Sequence, residues 1–179
     1  INESKKKYGY PKFVHTTTGK NKKERIISNI EKLGGTIKMD MAVQSTTPEV
    51  LKNIRRDNIS TEHLIAIGPA IKKTGMTLSS DIIVGLPGET FESTLQSIKD
   101  IIHADVDEVL VWTLMMLDGS ELNVPKEREK WNIKTKYRII PRDFIKLSNG
   151  KVVLEIEEVG ISTSTLSFKE YVNLRLLAL

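Results

Sequence analysis

Cysteine is absent from the 179 residues. That excludes disulfides, thiol nucleophiles, cysteine zinc sites and any iron–sulfur cluster ligated from within the chain. No apolar run reaches the ~18 residues that suggest a membrane span, and no signal peptide opens the chain, so a cytoplasmic location is the expectation. Short repeats and low-complexity tracts are missing. So are a Ser-His-Asp order, His-Glu-x-x-His and Gly-x-Ser-x-Gly, which removes the common hydrolase signatures.

What is there is ordinary in bulk: 39% hydrophobic and 28% charged residues. That is enough for one globular domain with a core and excludes disorder. The net charge of +4 is unevenly spread. Residues 1–38 hold ten Lys/Arg against three Asp/Glu, a net +7, which leaves −3 for the rest. A basic end can meet nucleic acid or phosphate, but a solvated helix face is the simpler and favoured account. The chain opens on Ile1 rather than Met, which reads as a piece of something longer.

Strand and helix patterns alternate. Pro11–Thr18, Thr36–Ser45, Met76–Leu86 and Asp107–Leu117 read as strands. Between them lie helical patterns around Ile26–Leu33, after Thr47-Pro48-Glu49, from Ser60 to Gly75, and from Phe91 to Ile102. Strands separated by helices imply crossovers and a parallel sheet. The character changes near Asp118. Residues 118–136 read as a loop with a short helix and Tyr137–Ile140 as a short strand. Asp143–Leu147 and Lys151–Val159 read as a hairpin turned by Ser148-Asn149-Gly150, and Ser167–Leu179 as a helix.

Parallel α/β sheets place their sites at the carboxyl ends of the strands. Alternation places Lys38, Asp40, Ala42 and Gln44 on one face of their strand and Met39, Met41, Val43 and Ser45 on the other. It likewise separates Ser79, Asp81, Ile83 and Gly85 from Ile82, Val84 and Leu86. The helix-covered face is the apolar one, so Asp40, Gln44 and Asp81 turn into a barrel interior or cleft. Acids and amides there need partners, either a polar ligand or a structural network. The amides of Gly85–Thr90 open a helix after a strand and could hold an anion. His15, in Val14-His15-Thr16, is a candidate proton carrier or ligand. His63 and His103 have no His or acid at metal-ligand spacing. Arg55-Arg56 could clamp a carboxylate or phosphate. Glu157-Glu158 reads as an exposed edge.

Two segments read together resemble the C-terminal half of a radical S-adenosylmethionine (SAM) enzyme barrel. One is Ala42-Val43-Gln44-Ser45, followed by Leu51 and Arg56. The other is Asp81-Ile82-Ile83-Val84-Gly85-Leu86-Pro87-Gly88-Glu89-Thr90, with Asp118-Gly119-Ser120-Glu121-Leu122 one helix and one strand later. The resemblance covers roughly residues 12–123 and is to members with a B12-binding domain and to methylthiotransferase or coproporphyrinogen-oxidase-like groups. It implies an α/β fold: a partial (β/α) TIM-like barrel with parallel strands over residues 1–123, plus a C-terminal extension, 124–179, with a β-hairpin and helix.

For the site, the resemblance implies that Gln44 and Asp81 hydrogen-bond the ribose hydroxyls of SAM. Arg56 would hold its methionine carboxylate and Ile83 would touch adenine. Ser45 would give polar support, and Gly85 and Gly88 would form the turn beside the cofactor. The family's chemistry needs a Cys-x3-Cys-x2-Cys loop holding a [4Fe-4S] cluster, whose electron cleaves SAM to a 5′-deoxyadenosyl radical. This chain has no such loop, so the implied partner is a missing N-terminal half of the barrel. The isolated chain is expected to be inactive and to hold neither group tightly. Open sheet edges suggest a homodimer. The alternative is a small α/β module that binds phosphate or RNA without catalysis. A third reading, a hydrolase or isomerase, would pair His15 with Asp40 or Asp81.

Overall fold

The computed structural model describes residues 1–17, 28–29, 32–33, 36–40, 42–56, 65, 68–69, 72–73, 75 and 77–178. The helical patterns expected around Ile26–Leu33 and Ser60–Gly75, and His63 with them, lie mostly or wholly outside these residues.

Four strands form one parallel sheet: β1 (Val14–Thr17), β2 (Ile37–Asp40), β3 (Leu78–Val84) and β4 (Glu108–Thr113), in the order β1-β2-β3-β4. A short helix, α1 (Asn2–Tyr8), precedes the sheet, and α2 (Pro48–Asn53) follows β2. The pleat of β3 sorts its side chains. Leu78, Ser80, Ile82 and Val84 are buried on one face, while Asp81 and Ile83 are half-buried on the other.

The buried face is covered by α3 (Phe91–His103). This helix starts where it does because Thr90 and Ser93 cap each other reciprocally, which satisfies two otherwise orphaned amides. Its apolar residues meet the sheet in two groups. Ile98 and Ile101 pack with Val43, Ile82 and Val109. Phe91 and Leu95 pack with Val84, Val111, Leu166 and Leu174. On the opposite face Ser79 is buried, and Ile83 packs against a cluster that includes Val50 of α2, Leu86, Leu114 and Met116.

After β4 come a 3₁₀ turn (Glu121–Asn123), α4 (Pro125–Lys130), the antiparallel pair β5 (Lys134–Lys146) and β6 (Val152–Ser162), and α5 (Phe168–Leu177). The short helix expected within 118–136 is present as α4, whereas the two separate short strands expected over 137–147 are one long strand that starts at Lys134. The register of β5 against β6 shifts between Ile139 and Phe144, an interval that contains Pro141. Proline has no amide to give a ladder, so the pairing survives only by slipping there. Around Ser148-Asn149-Gly150 the chain turns as expected, with the Asn149 side chain accepting the Lys151 amide at 3.0 Å and Gly150 at φ 82°.

The far end of β6 joins the main body. Met116 N–H donates to the Glu158 carbonyl and Gly160 N–H to the Leu114 carbonyl, at 2.9 and 2.8 Å. α5 then packs beside α3, with the Tyr171 hydroxyl 2.6 Å from Thr113 Oγ1 and Arg175 donating to the Val111 carbonyl. The chain just beyond β4 is thus paired with β6, and α5 reaches the Val111 carbonyl of β4.

The second strand also departs from expectation. Its ladder ends at Asp40, and Gln44 returns as a single parallel bridge to Ile82. Gln44 has φ 65°, in the left-handed region. The ladder is therefore interrupted between Asp40 and Gln44, although Val43 and Ser45 still meet the α3 side as alternation expects.

Candidate functional site

The face of the sheet opposite α3 and the strand ends above it gather the residues of interest. Gln44 is held beside the centre of β3 by two backbone bonds. Its N–H donates to the Asp81 carbonyl at 2.7 Å, and its carbonyl accepts from Ile83 N–H at 2.9 Å. Gln44, Asp81 and Ile83 therefore lie side by side although 37 residues separate Gln44 from Asp81. Asp40 and Ser79 extend this face, with Ser79 Oγ donating to Asp40 Oδ1 at 3.2 Å. Asp81 Oδ1 accepts the indole N–H of Trp112 at 3.0 Å.

Arg56 arrives from the end of α2. The helix stops at Arg55, whose φ is 51°, and Arg56 N–H closes back on the Leu51 carbonyl. Its guanidinium donates to the Ala42 carbonyl at 2.7 Å, which ties it to the chain two residues before Gln44. Partial burial pushes its pKa down, but a guanidinium stays cationic throughout the physiological range. Arg55 instead makes an exposed ion pair with Glu121 at 2.9 Å, a contact of little energetic weight.

Ser45 goes the other way. It is fully buried against α3, its Oγ 3.4 Å from Ser97 Oγ and accepting from Thr47 N–H at 3.2 Å. Thr46 follows it, bonding Ser97 and Asp100. This segment anchors the loop on α3 while Gln44 faces β3.

The turn after β3 is self-contained. Gly85 and Gly88 have φ values of 93° and 83°. Glu89 folds back under them, its Oε2 accepting the amides of Gly85 and Leu86 at 3.1 and 3.4 Å. Glu89 is fully buried, and its Oε1 makes no hydrogen bond. Burial pushes its pKa up to about 8, only partly offset by the two amides and the nearby Thr94 and Ser45 hydroxyls. Of the amides read as an anion cradle, those of Gly85 and Leu86 are therefore taken by the protein's own carboxyl, while those of Glu89 and Thr90 bond the Leu86 carbonyl and Ser93 Oγ. Glu89 as the staple of this turn was not legible in the sequence. Its only local sign was an acid four residues after Gly85.

His15 is exposed on β1, in register with Lys38. Among the described residues no hydrogen bond joins it to Asp40 or Asp81, whose partners are Ser79 and Trp112. His103 is exposed at the end of α3. Glu157 and Glu158 are not a free edge. Arg138 pairs with Glu157 across the strands. Arg128 grips Glu158 with two nitrogens, at 2.7 and 2.5 Å. That pairing, with the Thr135 hydroxyl, pulls the Glu158 pKa down to about 2. Among the described residues no group of three or more His, Asp or Glu could hold a metal ion. No helix there is long and apolar enough to cross a membrane.

No family model matches the chain. Over 140 residues it is 27% identical to the cobalamin-dependent radical SAM methyltransferase TokK of Streptomyces tokunonensis, covering 74% of this chain and 20% of that protein. Over 174 residues it is 24% identical to the 2-(S-pantetheinyl)-carbapenam-3-carboxylate methyltransferase of Streptantibioticus cattleyicolor, covering 92% of this chain and 24% of that one. Among solved structures, the radical SAM methyltransferase TsrM of Kitasatospora setae shares the fold with a TM-score of 0.51. The match has 12% identity and covers 73% of this chain and 25% of that one. The chain thus spans about a fifth to a quarter of the length of the relatives it matches. Sequence kinship and structural likeness lead to the same group, the radical SAM enzymes.

Proposed function

We propose that this chain is the C-terminal part of a radical SAM enzyme barrel and carries the ribose, adenine and carboxylate side of the SAM site. One observation supports this most directly. The main-chain bonds of Gln44 to Asp81 and Ile83 bring the two sequence segments together beside the centre of the sheet. In this reading Gln44 and Asp81 take the ribose hydroxyls, Ile83 touches adenine and Arg56 holds the methionine carboxylate. A charged guanidinium and carboxylate suit those polar groups, because charge-assisted hydrogen bonds are the strong ones. Gly85 and Gly88 shape the turn beside the ligand, and Ser45 supports it from the α3 side.

The residues present do not fit an iron–sulfur cluster, since no cysteine exists to ligate it. Reductive cleavage of SAM therefore belongs to the whole protein, and the chain alone is inactive. Two of the relatives are named methyltransferases, which makes methyl transfer the first activity to test in that protein. The phosphate- or RNA-binding alternative is disfavoured at the Gly85–Thr90 turn, because the Glu89 carboxyl occupies the amides of Gly85 and Leu86.

The test is SAM binding by equilibrium dialysis up to millimolar ligand. Asp81→Ala and Arg56→Ala should each weaken binding about tenfold or more, as loss of a charged hydrogen bond does. In the whole protein, Asp81→Ala should suppress release of 5′-deoxyadenosine. Binding that neither substitution changes would overturn the reading.

A further inference from the structure

We propose that Trp112 is a positioning residue for Asp81. Its indole N–H fixes the carboxylate in the orientation that receives a nucleoside with vicinal hydroxyls. This rests on the reading above, in which Asp81 faces the ligand.

The placement comes from the register. β4 pairs with β3 so that Leu110 lies opposite Asp81 and Trp112 opposite Ile83. Trp112 therefore stands diagonally across from Asp81, a distance that long side chains span. Alternation along β4 puts Trp112 on the face opposite α3, while its neighbour Thr113 is buried beneath α5. The indole nitrogen is a donor only, so it has one use against a carboxylate. It makes that contact at 3.0 Å to Oδ1.

Two further features separate this from ordinary packing. Trp112 is 48% exposed, although a large aromatic on a sheet face normally gains by burial. Asp81 is only half-buried, so its carboxylate is not a core group in need of rescue. A rigid ring with two side-chain torsions restrains a short acid on a strand. The restraint lowers the ordering cost when a diol binds. Ile83, in register beside the ring, continues the apolar surface next to that carboxylate.

The experiment measures SAM affinity for the full chain and for Trp112→Phe, Asp81→Ala and the double variant. Trp112→Phe keeps the ring and removes the donor. It should weaken SAM roughly fivefold, and the double variant should bind no worse than Asp81→Ala alone. Equal affinity in Trp112→Phe, or a loss that adds fully to that of Asp81→Ala, would overturn the positioning role and leave the SAM site intact. Binding insensitive to Asp81→Ala would overturn both. A second readout needs no ligand. The chain has two tryptophans, so Trp131→Phe assigns the two indole N–H resonances. Asp81→Asn should move the Trp112 signal and leave that of Trp131 in place. An unmoved Trp112 signal would show that the hydrogen bond is absent in solution.

Discussion

Asn53 donates from its side chain to the carbonyl of Pro87 at 3.1 Å, and a Cβ on Gly88 would stand 2.6 Å from that same nitrogen. The end of α2 and the turn after β3 are therefore locked together at the one place where the turn must carry no side chain.

Gly88→Ala should destabilise the protein by about 1–3 kcal/mol, from its φ of 83° and from the displaced Asn53 amide. Urea unfolding measures it. In an Asn53→Ala background the added cost should shrink, because only the backbone strain remains. A full additive cost would show that the Asn53 contact is not the obstacle.

Glu89 should give the protein a stability that falls with rising pH. An unfolded Glu releases its proton near 4.5, whereas folded Glu89 keeps it to about 8. Between those values the folded state binds the extra proton, so stability declines across that window, by up to a few kcal/mol, and levels off above it. Unfolding at pH 5, 6.5 and 8 should show the decline, and Glu89→Gln should flatten it.

Glu158 works in the opposite sense. Its folded pKa near 2 lies below the unfolded value, so its contribution is complete above about 4.5 and is lost as the pH falls towards 2. Solvent contact on the Arg128 side limits the pair to ~1 kcal/mol. Glu158→Gln should lose that amount at pH 7 and narrow its gap to the parent in acid melts.

Tyr171→Phe should cost about 1 kcal/mol, since it leaves the buried Thr113 hydroxyl without its 2.6 Å partner. Thermal melts of Tyr171→Phe, Thr113→Val and the pair should show strong non-additivity. Additive costs would mean that the two hydroxyls do not interact.

The order of strands and helices was legible in the sequence, as were the Asn-Gly hairpin and the helix following Ser167. Each rests on periodicity, capping or turn chemistry within a few residues. Asp81 and Ile83 on one face of β3 follow from simple alternation. Regular pairing was not legible where the chain leaves strand geometry, at Gln44, nor where Pro141 falls inside a strand that slips register to continue.

By itself, then, the sequence determined the local elements, the glycine turn after β3 and the absence of any cysteine-held cluster. Tertiary structure alone decided that Ser45 meets Ser97, that Glu89 staples its own turn, that Trp112 reaches Asp81 and that Arg128 claims Glu158. Most of these contacts join residues 30 to 52 positions apart. Glu89 lies only four residues from Gly85, but its burial depends on packing from α3. Short-range propensity carries no information about such pairings, which arise only when packing brings distant side chains into a shared dry space.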